Sequence, residues 1–398
     1  VRRLPGALVT GTGVGGEGVG LAIRRVVCAP NAFKGSLGAL EAAAAMAEGV
    51  AWAGLGGVGA VQVPVADGGD GTLDVLLRAS PGSRVERVVV HGPLGAPVEA
   101  RLGWLGDGSA VVELAEAAGL RLVAGGALDA MEASTFGVGE LIRAALDGGA
   151  PRIVVGVGGS ASTDGGAGLA VALGARLVDG GGDVLPPGGG ALSRLASVDL
   201  GRLDARVRSC RIEVAVDVRS PLLGPRGAAA VFGPQKGATA AQVVELERGL
   251  ACWASALGPV PADQPGMGAA GGAAYGFVAV CGATLLPGAA LVCDLVGLDA
   301  AFDGAVLVLT GEGCLDSSTA EGKAPAEVAG RAAAAGLPCV ALAGSVEQPV
   351  AEIYAEAIAI GEGLSLDESR ARAAELLRRA ARDVVRQRLG GSAARAPW

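Results

Sequence analysis

Six glycine-rich segments of this 398-residue chain gather most of its chemically useful side chains. NAFKGS, 31–36, places Lys34 in a strand-to-helix turn, where an ammonium beside helix amides suits an anion. VADGGDGT, 65–72, places Asp67 directly after an apolar run, with Gly68 and Gly69 allowing a ligand close to the backbone. Asp67 suits a hydroxyl, a metal or a proton in transfer, while Asp70 suits a helix cap. GVGGSASTDGGAG, 156–168, combines the amides of Gly158 and Gly159 with Ser160 and Asp164 ahead of a helix, which makes an anion nest. AVDVRSPLLGPRGAAAVFGPQKGA, 215–238, carries Asp217, Arg219, Arg226, Gln235 and Lys236 between apolar stretches, and GMGAAGG, 266–272, is a further glycine nest. LTGEGCLDSSTAEGKAP, 309–325, is the richest, with Glu312 and Asp316 four apart and Thr319 and Lys323 following. Carboxylates near lysines fit magnesium-phosphate chemistry, in which Mg²⁺ takes one or two carboxylates plus substrate phosphates.

Taken singly, each segment also suits a solvated or tightly packed turn. Together they offer carboxylates for a metal or base, lysines for phosphates and amides for anions, with no histidine. The lone histidine, His91, falls in an expected turn away from every motif. A histidine-dependent nucleophile would have to use it, and a zinc site built on several histidines is excluded. Phosphoryl transfer tolerates that absence, because it works by positioning and charge stabilisation. The chain has no GxxxxGK[ST] phosphate loop. GTGVGG, 11–16, matches a dinucleotide fingerprint formally but lacks the acid expected about 20 residues on.

Composition narrows the partners. The net charge is −8 with no basic run, and aromatic residues make up 3%, so nucleic acid is excluded as an expected partner. The seven cysteines are scattered without CxxC spacing, which reads as reduced, mostly buried thiols and a cytoplasmic protein. Residues 265–293 carry no charge but are interrupted by glycines and Pro287, a poor membrane span. The 69 glycines are more than twice the usual share of about 7%.

The elements that must hold these loops alternate strand and helix. RRVVCAP from 24 reads as a buried strand, followed by a helix over about 37–49 capped by Ser36. A second strand is expected at 60–65 and a helix from about 72. Short strands with turn signals fill 80–115. Helices follow at 134–147 and about 240–257, with strand, loop and helix over 152–175. The alternation returns near 305, and a polar-faced helix covers about 366–388. These elements imply a parallel sheet flanked by helices. The expected organisation is a flexible extension at 1–22, a discontinuous α/β domain at 23–75 and 295–398, and an inserted domain at 76–294.

In this order, APNAFKGSL, VPVADGGDGT, GVGGSASTDGGAG, DVRSPLLGPRGAAAVFGPQKGA, GMGAAGG and TGEGCLDSSTAEGKAP resemble the motif series of the bacterial glycerate kinase family, of the type that makes 2-phosphoglycerate. The resemblance spans about 24–390. It implies a Rossmann-like parallel-sheet domain with a large inserted α/β domain, and an active site in the cleft between them. It also implies ATP, Mg²⁺ and D-glycerate, with no nucleic acid or membrane partner, in a monomer or homodimer. Lys34, Ser36 and Asp67 would face glycerate, with Gly68 and Gly69 beside them. Asp67 would orient or deprotonate the attacking hydroxyl. Glu312 and Asp316 would hold Mg²⁺, with Thr319 and Lys323 near the phosphate. Gly158, Gly159, Ser160 and Asp164 would cradle an anion, and Asp217 and Lys236 would close over it.

The chain departs from the family pattern in places. PDSFKGS is usual where PNAFKGS stands, so Asn31 and Ala32 replace an acid and a serine. Asp70 stands for a glutamate and Ser318 for a glutamine. The 1–22 extension has no counterpart, as if from an early start site. Asn31 and Ala32 keep open another small hydroxy acid as substrate, phosphorylation at the 3-hydroxyl, or a non-catalytic protein that binds glycerate or nucleotide.

Overall fold

The computed structural model describes residues 23–123, 127–317, 319, 322–347 and 350–393. The expected 1–22 extension and Ser318 lie outside them. The chain divides into two compact units. Unit 1 combines the residues up to Asp67, Asp74–Pro81 and those from Ala289 on; unit 2 combines Gly68–Leu73 and Gly82–Gly288. The loop carrying Gly68 and Gly69 thus groups with the second unit, rather than with the first as the sequence-based borders have it.

Unit 1 is built on a five-stranded, fully parallel sheet in the order Glu356–Ala359, Cys339–Ala343, Ala305–Thr310, Arg24–Cys28, Val58–Gln62. Its strands are apolar on both faces, as expected when helices cover both sides. Val26, Cys28, Leu307 and Leu309 pack with Met46, Val50, Leu377 and Val385 from helices Ala39–Trp52 and Ala373–Leu389. The alternate residues Val27, Ala29 and Val308 pack with Val328 and Ala332 of helix Ala324–Ala334. Strand Arg24–Cys28 therefore lies inside the sheet, with Val58–Gln62 on one side and Ala305–Thr310 on the other. Helices that follow these two neighbouring strands cover opposite faces. Such a reversal is a topological switch point, where a crevice opens at the carboxyl ends of the strands.

Several boundaries differ from expectation. The first helix starts at Ala39, and Gly38 is its N-cap, with the Glu41 carboxylate accepting the Gly38 amide at 2.9 Å. Ser36 does not cap it. NAFKGS folds into a tight turn, and the Ser36 hydroxyl donates to the Phe33 carbonyl at 3.0 Å. The second strand ends at Gln62, although the Val63 and Val65 amides still donate to Cys28 and Pro30 and leave Pro64 facing the open edge of the sheet. The last helix breaks at Arg372 into Leu366–Ala371 and Ala373–Leu389, with neither glycine nor proline to announce it.

Unit 2 holds a six-stranded mixed sheet in the order Thr284–Pro287, Arg211–Val216, Arg152–Gly156, Ala110–Glu113, Pro97–Trp104, Arg84–His91. The first four run parallel, and the hairpin of the last two is antiparallel. His91 ends its strand opposite Pro97 instead of lying in a turn. Its Nδ1 lies 3.0 Å from the Glu140 carboxylate, and its ring meets Phe136 edge-on at 5.1 Å. All seven cysteines are free thiols. Among the described residues, no helix is long and apolar enough to cross a membrane.

Helix Ala240–Leu257 is started by Thr239, whose hydroxyl accepts the Gln242 amide. It carries the fully buried Trp253, whose indole N–H donates to the Gly165 carbonyl at 2.9 Å. This bond ties the core of unit 2 to its glycine loop. Trp253→Phe strands a buried carbonyl and removes packed atoms, so we expect a loss of about 1–3 kcal/mol in urea unfolding; an unchanged midpoint would refute the coupling.

Candidate functional site

In unit 1, the loops leaving the two central strands are stitched together beyond the sheet. Ala29 N–H donates to Leu309 O at 2.7 Å, Asn31 N–H to Gly311 O at 2.9 Å, and the Thr310 hydroxyl to Ala29 O at 2.8 Å. NAFKGS and TGEG are thereby held in register at the switch point. A cavity of about 570 Å³ opens there, with Lys34, Ser36, Glu312, Asp316 and Lys323 in its walls.

Glu312 is almost fully buried. Its Oε1 accepts the Thr319 hydroxyl at 2.8 Å, and the same hydroxyl accepts the Asp316 amide at 3.2 Å. Burial pushes the Glu312 carboxyl above its ordinary range; Thr319, Lys323 and Lys34 oppose that rise, and the charge of Asp67 adds to it. Lys323 Nζ lies 3.7 Å from Asp316. Asp67 is buried, and its Oδ2 accepts the Asn31 side-chain amide at 3.1 Å. Asn31 is itself buried and locked, because its Oδ1 accepts the Ala32 amide at 2.8 Å. The sequence-predicted residues Lys34, Ser36, Asp67, Glu312, Asp316, Thr319 and Lys323 thus form one connected cluster. Among the described residues, no three His, Cys, Asp or Glu side chains are grouped to hold a metal.

In unit 2, the other predicted residues gather around the loop that follows strand Arg152–Gly156. The Gly158 amide donates to Gly68 O at 3.1 Å. A Cβ on Gly158 would fall 2.5 Å from the Gly69 Cα, so glycine is required for these backbones to meet. Asp164 is fully buried, and its carboxylate accepts the Thr135 amide and hydroxyl, both at 2.8 Å, and the amides of Gly166 and Gly168. It organises its own loop. Lys236 is also buried; its Nζ donates to Ser160 Oγ at 2.8 Å and to Ser162 O at 2.5 Å. Burial pulls the Lys236 ammonium down to about 7, with the charge of Asp164 opposing. Among the described residues, the nearby Ser162 and Thr163 hydroxyls are buried without a hydrogen-bond partner. The Gly165 amide donates to the carbonyl of Gly271 in the second nest at 3.0 Å, so three of the motif segments meet here. Asp217 stands exposed just past strand Arg211–Val216.

One residue escaped sequence reasoning. Glu113 ends an apolar strand, is buried, and its Oε1 accepts the Leu73 amide at 2.7 Å. It supplies a cap expected of Asp70, which is exposed. Burial pushes its carboxyl up to about 7, with the Leu73 amide opposing. A lone acid within AVVEL was the only available signal.

A loop set of this kind matches known proteins throughout. The model of the Glycerate kinase family matches residues 26–389. The chain belongs to the glycerate kinase family. A glycerate kinase from Bacillus subtilis (strain 168) is 44% identical over 371 residues, covering 91% of this chain and 97% of that protein. A glycerate 2-kinase from Escherichia coli (strain K12) is 41% identical over 339 residues, covering 84% of this chain and 88% of that one. A crystal structure from Salmonella typhimurium LT2, described as a candidate glycerate kinase 2, superposes with a TM-score of 0.80 at 39% identity, covering 93% of this chain and 99% of that chain. Family membership makes the chain a phosphotransferase, and the match covers both units.

Lys236 gives a signed test. Its ordinary value is 10.5, so between about pH 7 and 10.5 the unfolded chain holds a proton that the folded chain does not, and folding stability rises with pH across that window. Urea unfolding of Lys236→Met should lack this rise. A variant that keeps the wild-type slope would refute the burial of a neutral amine.

Proposed function

We propose that the protein transfers the γ-phosphoryl group of ATP to the 2-hydroxyl of D-glycerate. The observation that carries this reading is the connected cluster of Lys34, Asp67, Glu312, Asp316 and Lys323 at the switch point of unit 1, the position at which open α/β sheets bind ligands. Asp67, held by Asn31, orients the glycerate hydroxyl and takes its proton as the new O–P bond forms and ADP departs. Lys34 and Lys323 offset charge on the transferring group. Ser36 and Thr319 supply hydroxyls to the same cluster, although Thr319 is partly committed to Glu312.

The oxygen-only donors Glu312 and Asp316 fit Mg²⁺, which takes one or two carboxylates and completes its shell with water and phosphate oxygens. When bound, the metal would neutralise developing phosphate charge. In unit 2, Gly158, Gly159 and Ser160 present an anion cradle shaped by Asp164, with Lys236 beneath Ser160. The partnerless hydroxyls of Ser162 and Thr163 fit the same use. Asp217 borders this loop set.

Asn31 and Ala32 favour a second reading, another small hydroxy acid as acceptor. The Asn31–Asp67 hydrogen bond argues against a merely binding protein, since it keeps the Asp67 carboxylate oriented as a base. Coupled turnover with ATP, Mg²⁺ and D-glycerate tests the first reading, and NMR of the product assigns the hydroxyl. Turnover with other hydroxy acids but not glycerate would favour the second. Asp67→Asn should lower kcat by at least about 10²-fold; a near-wild-type rate removes Asp67 as the base.

A further inference from the structure

We infer that Arg370 binds the carboxylate of the acceptor substrate. This rests on the reading of the protein as a kinase for a small hydroxy acid, and it adds a residue that none of the six glycine-rich segments contains. Arg370 lies on the short helix Leu366–Ala371, which the break at Arg372 separates from the long terminal helix. Its side chain reaches over the NAFKGS turn. The guanidinium Nε and Cζ lie 3.4 Å, and Nη2 3.5 Å, from where a Cβ on Gly35 would stand, and Gly35 has a φ of +79°. The positive φ calls for glycine in the turn, and the guanidinium lies at ordinary contact distance over it. Arg370 also lines the cavity that holds Lys34, Glu312, Asp316 and Lys323.

The three cations of this cavity are not equivalent. Lys323 faces Asp316 at 3.7 Å, and Lys34 acts on the Glu312 carboxylate. Among the described residues, the Arg370 side chain has neither a hydrogen-bond nor an ion-pair partner. Its planar fork matches the two oxygens of a carboxylate in a bidentate pair. Ile360, Leu364 and Leu366 line the same cavity, and apolar walls strengthen a charge pair made beside them. The cavity thus provides a guanidinium for the acid group in the same walls as the carboxylates of Glu312 and Asp316.

The test is steady-state kinetics of wild type, Arg370→Gln and Arg370→Lys, with D-glycerate and ATP varied in turn and with glyceramide as a neutral analogue. For Arg370→Gln we expect the KM for glycerate to rise about 10- to 100-fold, with the KM for ATP little changed and Arg370→Lys intermediate. The preference of wild type for the acid over the amide should collapse. An unchanged KM for glycerate, or a loss confined to ATP, overturns the assignment. Thermal melts of each variant separate these results from misfolding. If wild type itself fails to turn over glycerate, the kinase reading fails, and calorimetric titration of D-glycerate still decides the role of Arg370: absent binding, or equal affinity in wild type and Arg370→Gln, overturns it.

Discussion

The reversal of strand order in unit 1 is the constraint on which its chemistry rests. Strands Arg24–Cys28 and Ala305–Thr310 are neighbours in one parallel sheet, yet the chain leaves them toward helices on opposite faces. Neither departing loop can then cover the strand ends, and side chains of both loops project at the same place. The hydrogen bonds from Ala29 to Leu309 and from Asn31 to Gly311 extend the register of the sheet past its last strand residues. The two loops are consequently positioned by the rigid part of the unit. A site built on strand ends inherits their precision, which phosphoryl transfer requires because positioning does most of its work.

In unit 2 the glycines and buried charges serve one purpose, which is to hold amides and hydroxyls close together. Asp164 is a low-cost buried charge, since four backbone and hydroxyl donors surround it at hydrogen-bonding distance. Lys236 is less well served. One hydroxyl and one carbonyl do not make up for full burial, so the ammonium gives up its proton far more readily than that of an exposed lysine. An anion placed beside it would favour the charged form again, and linkage then requires that anion binding draw a proton onto the lysine. The loop is internally settled at Asp164 and electrostatically unfulfilled at Lys236.

The strands and their flanking helices were legible because apolar runs, turn glycines and alternation are local signals. Helix Ala240–Leu257 came through almost to the residue, its Thr239 cap and apolar face agreeing with each other. What failed was local competition. Ser36 satisfied every rule for a cap but was taken by the Phe33 carbonyl, and a strand extended by hydrophobicity stopped short of Pro64. The site residues were legible as types in loops, because the embedded Lys, Asp and Glu stand out against glycine. Their partners were not. Glu113 meets Leu73 from a distant strand, and Arg370 reaches Gly35 from the far end of the chain. No spacing rule links residues that only the sheet order brings together.

Asn31 shows how one substitution bears on the charge balance of such a cluster. Asp67, Glu312 and Asp316 stand against Lys34, Lys323 and Arg370, three carboxylates to three cations. An acid at position 31 would add a fourth negative charge against Asp67, within a group where burial and Asp67 already push Glu312 upward. The amide instead donates to Asp67 and leaves the cluster formally neutral. A neutral cluster has little capacity to absorb an unaccompanied phosphate, whose charge is held best when a divalent cation arrives with it. The same neutrality leaves Arg370, the cation of this cavity without a partner among the described residues, as the group most available to a single carboxylate.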